Sequence, residues 1–190
     1  MNPSPLIELF SSSDEELAYH APSENAAFSE LYQRHFPRVY RYHLIRTGEK
    51  AEAEDLTAQT FLAALEGIGS YRGSGPFAAW LMGIAHNKMA MYFRRRKTET
   101  ALEDVMNFPD PAEHPERVAG ERLQLAQVSQ ALERLTPERA EAIMLYIFAD
   151  LSAAETGSVM GKSEAAVKML VLRGLRELRE QLHPIQEEER

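Results

Sequence analysis

Signals that start and stop helices follow one another closely in the last third of the chain, and they constrain its fold more than any other feature. Thr136 precedes Pro137, as an N-cap precedes a proline at the first helical position. Residues 152–155 have the spacing of a capping box, Gly161 can end the short helix that they open, and Ser163 can cap a long final helix. A short helix, a glycine-containing turn and a capped longer helix form a helix-turn-helix pattern.

Helical periodicity extends over the rest of the chain, and no stretch shows the alternation of a strand. Further helices are predicted over residues 26–47, 49–68, 77–97, 121–135 and 137–149. Pro37 interrupts the first of these helices, and Gly48 ends it. Four glycines and a proline break the chain at residues 67–76. The sequence therefore predicts an all-α protein.

Composition divides this chain into two small helical domains, at residues 26–97 and 122–183. Residues 98–121 between them form an acidic linker with three prolines in seven residues. Residues 1–25 are rich in serine, proline and acid, and we expect them to form a weakly ordered N-terminal arm. Residues 184–190 form an acidic tail.

The overall composition narrows the classes of function. Among 190 residues, 44% are hydrophobic and 26% are charged, which is typical of a folded protein. The absence of cysteine excludes disulfides and thiolate metal sites, and the six histidines lack the short paired spacing of a metal-binding helix. No apolar run approaches the length that spans a bilayer, and the N-terminus does not resemble a signal peptide. We therefore expect a cytoplasmic protein without membrane insertion, metal or cofactor.

Positive charge is concentrated between residues 71 and 97, in a chain whose net charge is −8. This stretch carries six basic residues, and no acid occurs between Glu66 and Glu99. Five aromatic residues are interleaved with them: Tyr71, Phe77, Trp80, Tyr92 and Phe93. Cations can contact phosphates while rings stack on unpaired bases at about 1–3 kcal/mol each, so the stretch suits a single nucleic-acid strand. The alternative is an amphipathic helix with a basic end, in which Trp80 and its apolar neighbours are buried in a core.

A second polar surface is predicted on the helix at residues 49–68. Four apolar residues have helical spacing and form one stripe: Ala58, Phe61, Leu62 and Leu65. Four polar residues fall on another face about a quarter-turn away: Glu52, Asp55, Gln59 and Glu66. From the residues alone, a solvated acidic face is the favoured interpretation.

Two segments of the chain resemble the bacterial RNA polymerase sigma factors of the extracytoplasmic function (ECF) group. Residues 28–97 resemble family region 2 through the runs ELYQRHFPRVYRY, AEDLTAQTFLAAL and YRGSGPFAAWLMGIAHNKMAMYFRRR. Residues 132–182 resemble region 4 from LERLTPERAEAIML onward, and a short acidic linker typical of the group joins the two. The resemblance implies that the protein is a sigma factor and not an enzyme. Such a factor binds core RNA polymerase and promoter DNA and directs promoter melting and transcription initiation.

The resemblance also implies which residues make contacts. Contacts to the polymerase are implied for Glu52, Asp55, Gln59, Thr60 and Phe61. Contacts to the melted minus-ten strand are implied for Tyr71, Arg72, Ser74, Phe77, Asn87, Lys88, Tyr92, Arg94 and Arg95, with residues 70–76 forming the pocket for an extruded base. Contacts to minus-thirty-five duplex DNA are implied for Ser163, Glu164, Ala165, Lys168, Arg173 and Arg176. An anti-sigma factor or another protein regulator is a further expected partner.

The helix-turn-helix departs from the family pattern at two places. Its final helix carries the run AVKMLVLRGLREL, where the family usually has a run dense in arginine and histidine. If Val167 and Val171 are buried, Met169 and Leu172 fall on the exposed face, so that upstream DNA is read weakly or a protein covers this face. The first helix of the motif also contains Gly157, which costs about 1 kcal/mol relative to alanine inside a helix.

The sequence is also compatible with two other classes of protein. The first is a stand-alone helix-turn-helix regulator that binds duplex DNA without polymerase, and it leaves the AEDLTAQTF run and the aromatic stretch unexplained. The second is a helical adaptor or enzyme, which would need a convergent polar pocket that no residue spacing indicates.

Overall fold

The computed structural model describes residues 11–103 and 127–182, and within these ranges the chain forms helices and turns without a strand. Eight α-helices lie in this part of the chain: α1 (Asp14–His20), α2 (Asn25–Thr47), α3 (Lys50–Gly67), α4 (Phe77–Glu103), α5 (127–133), α6 (Pro137–Ile143), α7 (Ala153–Met160) and α8 (Glu164–Leu182). A 3₁₀ turn at Ile68–Ser70 follows α3, and a π-helical turn at Met144–Phe148 continues α6. The all-α prediction is confirmed.

Most helix boundaries follow the signals in the sequence. The Ser152 hydroxyl accepts a hydrogen bond from the Glu155 N–H at 3.2 Å, and the Glu155 carboxylate accepts one from the Ser152 N–H at 2.7 Å. Gly161 ends α7 with a φ of 65°, and the Ser163 hydroxyl caps α8. Helices α7 and α8 therefore form the predicted helix-turn-helix. Thr136 occupies the N-cap of α6, although its side chain makes no capping hydrogen bond.

Two predicted helix boundaries are wrong. Helix α2 continues through Pro37, because its flanking residues Leu31, Val39 and Tyr42 are buried and their packing outweighs one missing backbone hydrogen bond. Helix α4 continues past the predicted end at Lys97 to Glu103, so the first residues of the expected linker are helical.

Helix α1 lies within the N-terminal arm that was expected to be weakly ordered, and for these residues the expectation is wrong. Leu17 is buried, and Asp14 lies 2.7 Å from the Nε2 atom of His35 on α2. The Glu15 carboxylate accepts a hydrogen bond from the N–H of Phe77, the first residue of α4, at 3.3 Å. The remaining parts of the predicted arm, linker and tail, at residues 1–10, 104–126 and 183–190, lie outside the described residues.

One hydrophobic cluster extends through both halves of the protein, the N-terminal half at 11–103 and the C-terminal half at 127–182. It includes Leu31 and Leu81 of the first half together with Ile143, Leu145 and Leu151 of the second. Helix α2 packs against α3 and against the π-helical turn, and α4 packs against α7. A smaller cluster of Ala142, Ala153, Val167 and Val171 packs the helix-turn-helix against α6. Within the described ranges, no helix combines the length and the apolar character needed to cross a bilayer.

Candidate nucleic-acid interface

The loop at residues 71–76 takes its shape from the aromatic residues around it. The Tyr71 hydroxyl donates a hydrogen bond to the Gly75 carbonyl at 2.6 Å, which closes the loop. The Tyr71 ring centroid lies 5.6 Å from that of Phe77 and 5.5 Å from that of Trp80. These rings hold the loop against the start of α4, so it forms a preorganised rim.

A cleft of about 940 Å³ opens beside this loop. Trp80 and Asn87 of α4 line it together with the loop, and α7 supplies the opposite wall. Positions 80, 87 and 94 lie on one face of α4 because they are seven residues apart. Asn87 and Arg94 are exposed on this face, and Lys88 beside it is half-buried. Three more of the predicted strand contacts are exposed: Arg72, Ser74 and Arg95.

The structure changes the role of three aromatic residues in this stretch. Phe77 and Tyr92 are only 1% and 8% exposed, so neither ring can stack on a base, and their assignment as strand contacts is corrected. Both support the fold, Phe77 beneath Tyr71 and Tyr92 through its hydroxyl, which accepts a hydrogen bond from Arg96. Trp80, in contrast, is half-buried and lines the cleft. The alternative that Trp80 is buried in a core therefore applies to only part of its side chain.

Met91 on α4 is a surface residue that the sequence reasoning missed. Its side chain is 57% exposed, and it lies one turn after Asn87 on the same face. The spacing of four residues from Asn87 is the signal that could have identified it.

The exposed face of α3 combines carboxylates with large apolar side chains. The Asp55 carboxylate is exposed and accepts a hydrogen bond from the Gln59 amide at 2.6 Å, while Glu52 is half-buried. Leu62 and Leu65 are 57% and 46% exposed. Because Asp55, Gln59 and Leu62 are spaced by four and three residues, they share one face of the helix.

The predicted apolar stripe of α3 is wrong in phase, because only Phe61 of its four members is buried. The buried face instead contains Thr57 and Thr60, whose hydroxyls donate to the carbonyls four residues earlier, each at 2.7 Å. Satisfied in this way, a threonine can be buried, and the large leucines stay outside. Thr60 and Phe61 therefore belong to the core, which corrects their assignment as surface contacts.

Thr60 also fixes a buried histidine. Its Oγ1 atom lies 3.0 Å from the Nε2 atom of His43, which is fully buried. Burial lowers the pKa of His43 to about 3, and a Coulombic interaction with Glu141 opposes this shift only in part. His43 is therefore neutral at neutral pH and serves as a packing residue of the core.

Helix α8 presents the predicted upstream surface. All six predicted upstream contacts, on α8 and at the residue that caps it, are exposed: Ser163, Glu164, Ala165, Lys168, Arg173 and Arg176. Lys168 forms an ion pair with Glu164 one turn earlier, so this lysine is engaged within its own helix. Met169 and Leu172 are 46% and 53% exposed, and Leu175 extends the same apolar stripe at 42%. The expected orientation of this helix is confirmed.

A close backbone contact explains why position 157 in α7 is a glycine. A Cβ atom on Gly157 would lie 2.5 Å from the backbone carbonyl oxygen of Lys162, in the turn that joins α7 to α8. The same turn is closed by the Lys162 N–H, which donates to the Gly157 carbonyl at 2.8 Å. A residue without a side chain is therefore required for the two helices to approach this closely.

The described residues contain no group of three or more histidine, aspartate or glutamate side chains that could hold a metal ion. The polar and aromatic residues of α3, α4 and α8 described above lie on helix surfaces, and such surfaces suit the binding of macromolecules.

Comparisons with known proteins agree with this arrangement. Residues 31–99 match the family model of sigma-70 region 2, and residues 125–178 match that of sigma-70 region 4. These matches and the all-α fold define a protein of the sigma-70 class. The chain is similar to the ECF RNA polymerase sigma factor BldN of Streptomyces coelicolor, with 40% identity over 167 residues that cover 86% of this chain and 63% of BldN.

Two further comparisons cover nearly whole proteins. The ECF RNA polymerase sigma factor SigM of Bacillus subtilis is 30% identical over 154 residues, which cover 79% of this chain and 91% of SigM. The structure of CnrH in complex with the cytosolic domain of CnrY is similar with a TM-score of 0.73 and 26% identity, covering 91% of this chain and 99% of CnrH. The chain belongs to the ECF RNA polymerase sigma factors. It spans less than two thirds of the length of BldN.

Proposed function

We propose that this protein binds core RNA polymerase in the cytoplasm, recognises promoter DNA, and directs promoter melting and transcription initiation without covalent chemistry of its own. The observation that carries the proposal is the rim formed by Tyr71 and Trp80 beside exposed Asn87 and Arg94. Membership of the ECF sigma factors supports it.

The minus-ten strand would be captured at this rim. Trp80 is half-buried beside a cleft lined by loop residues 70–76, and Asn87 offers an amide that can hydrogen-bond a base edge. Extruding one base costs a few kcal/mol, which stacking at about 1–3 kcal/mol per base and polar contacts can offset. Arg94 and Arg95 lie further along α4, where they can contact phosphates.

Polymerase docking is proposed for the exposed face of α3. Asp55 and Gln59 are the predicted polar contacts, and exposed Leu62 adds an apolar contact to them. A large leucine exposed beside a hydrogen-bonded polar pair suits an interface with an apolar centre and a polar rim.

Helix α8 is proposed to contact upstream duplex DNA and also a protein regulator. Arg173 and Arg176 can contact phosphates, which position the helix without reading sequence. The apolar stripe of Met169, Leu172 and Leu175 suits a protein surface. The similar protein CnrH forms a complex with the cytosolic domain of CnrY, which supports a protein partner, an anti-sigma factor, for this chain.

Run-off transcription with purified core polymerase and a promoter library tests the proposal. Wild-type protein should direct initiation at a subset of the promoters. Asp55→Arg should lower co-purification with core polymerase because it reverses a charge on the docking face, whereas Asn87→Ala should preserve co-purification and reduce permanganate reactivity of promoter thymines. Glu133→Arg is the matched control, since it reverses an exposed charge on α5 outside the proposed surfaces.

Two results would reject the proposal. One is the absence of polymerase-dependent transcripts from the whole library. The other is tight, sequence-specific binding of duplex DNA by the isolated protein combined with no association with polymerase, which would establish a stand-alone regulator.

A further inference from the structure

The two halves of the protein are joined by a buried carboxylate. Glu141 of α6 is 7% exposed, and its Oε1 atom accepts a hydrogen bond from the Tyr42 hydroxyl of α2 at 2.7 Å. The same oxygen lies 2.7 Å from the Nδ1 atom of His86 on α4. The second oxygen lies 3.9 Å from the guanidinium of Arg46. A single side chain of the C-terminal half thus contacts three groups of the N-terminal half.

A carboxylate at this depth is stable only while these partners surround it. An isolated buried charge is costly, and the loss of one partner leaves the others with unmet hydrogen bonds. Burial alone would raise the pKa of Glu141, but its hydrogen bond with His86 and its contacts with Tyr42 and Arg46 bring this pKa below the usual value. The hydrogen bond to Glu141 in turn raises the pKa of His86.

A second set of contacts lies at the edge of the same interface. Exposed Arg41 of α2 donates through Nε to the carbonyl of Phe148 at 2.7 Å, and this carbonyl belongs to the π-helical turn. Arg38 lies 3.9 Å from the carboxylate of Asp150. Both contacts join α2 to the segment that follows α6, so they also hold the two halves together, as Glu141 does.

The closed arrangement places α7 opposite the rim that holds Tyr71 and Trp80. Glu155 and Ser158 of α7 and its N-cap residue Ser152 form part of the far wall of the 940 Å³ cleft. Glu155 adds a negative charge to this wall, and like charges repel, so the wall disfavours a DNA phosphate in the cleft. In this arrangement, the C-terminal half narrows the cleft beside the residues where a strand would bind, although Asn87 and Arg94 themselves stay exposed.

We propose that the Glu141 cluster is a latch, defined as Glu141 with Tyr42, His86 and Arg46, which holds the halves closed over the strand site until it is broken. The proposal rests on the proposed function only for the identity of the covered site. The charged groups that face the latch histidine from neighbouring elements are Glu138 and Glu141 of α6, Arg46 of α2, Glu155 of α7, Lys162 of the following turn and Arg72 of the loop.

The absence of cysteine makes a distance measurement direct. Ala58→Cys on α3 and Glu180→Cys on α8 replace exposed residues, one in each half, and can carry spin labels for pulsed electron–electron resonance on the full chain. Glu141→Gln keeps the shape of the side chain and removes its charge. We expect it to increase the population with long label distances roughly tenfold, as for the loss of one charge-assisted hydrogen bond. Arg41→Ala should produce a smaller shift in the same direction.

Lys50→Ala is the matched control, since Lys50 is exposed and its ion pair among the described residues is with Glu54 of the same helix. It should leave the distances unchanged. Wild-type distances in both Glu141→Gln and Arg41→Ala, with unchanged circular dichroism, would overturn the latch. If Glu141→Gln loses helical signal, His86→Gln, which removes another member of the latch, replaces it in this comparison.

A second measurement separates the latch from the covered site. A fluorescent single-stranded oligonucleotide of random sequence should bind Glu141→Gln more tightly than wild type, by roughly the same tenfold factor as the gain in open population. Longer distances without tighter oligonucleotide binding would support the latch and overturn the strand site of the proposed function.

Discussion

Gly157→Ala tests whether the helix-turn-helix depends on a close backbone approach. In an unobstructed helix position, replacing glycine by alanine stabilises a protein by about 1 kcal/mol. At Gly157, however, the new Cβ atom would lie 2.5 Å from the Lys162 carbonyl oxygen, where ordinary contacts begin near 3.4 Å. The oxygen belongs to the backbone and cannot rotate away, so α7 and α8 must separate.

The gain in helix propensity and the clash of the new Cβ atom change the stability in opposite directions, and the short distance makes the clash the larger effect. Forcing an extra methyl group into a packed site costs about 1–3 kcal/mol, so after the gain in helix propensity the free energy of unfolding should fall by up to about 2 kcal/mol. Urea unfolding followed by circular dichroism measures this change. The loss should appear as a lower midpoint with an unchanged denaturant slope.

Gly83→Ala is the matched control within α4. Among the described residues, no atom beyond its chain neighbours and its own helix backbone lies within 4 Å of the position that its Cβ would occupy, so this variant should gain about 0.5–1 kcal/mol from helix propensity. If Gly157→Ala stabilises the protein as much as Gly83→Ala does, the steric account of the turn is refuted.

Three further predictions concern Trp80, the apolar stripe of α8 and His86. Trp80→Ala should lower stability by about 2 kcal/mol, less than for a fully buried tryptophan, and should also weaken permanganate-detected promoter melting. Met169→Arg combined with Leu172→His should tighten binding to upstream duplex DNA in an anisotropy assay without loss of stability, and unfolding would contradict the exposure of both residues. His86 has a raised pKa, so its cation stabilises the closed state fully below the ordinary pKa of about 6.5, and this contribution is lost as the pH rises through the raised value. The distances between the two spin labels should therefore lengthen in the wild type as the pH rises through the pKa of His86, and they should not do so in His86→Gln. The Glu141 carboxylate, in contrast, stops stabilising the closed state only at acid pH, as the pH falls through its lowered pKa.

Local signals in the sequence predicted the parts of the fold that depend on a few neighbouring residues. The capping box at residues 152–155 and the glycine at position 161 lie where the sequence places them, because each signal acts within one turn of helix. The orientation of α8 could also be predicted, since Val167 and Val171 define a clear apolar face against Met169 and Leu172.

Features that depend on the partners of a helix could not be predicted in this way. On α3, the buried face is selected by small residues and by threonines that satisfy their hydroxyls within the helix, which hydrophobic spacing does not detect. Phe77 and Tyr92 are indistinguishable by type from rings that stack on bases, and only the packing of α4 shows that they are buried. Glu141 lies 55 positions from His86 and 99 positions from Tyr42 in the chain, so no local pattern indicates these contacts.

The hydrophobic cluster shared by the two halves affects how binding constants of this protein should be interpreted. If Leu145 and Leu151 must leave the core that they share with Leu31 before both surfaces engage their partners, each apparent dissociation constant includes the cost of separation. Every 1.4 kcal/mol or so of that cost weakens the apparent affinity tenfold without altering any contact at the binding site. A partner that holds the halves apart would therefore tighten the binding of the next partner while touching none of its residues.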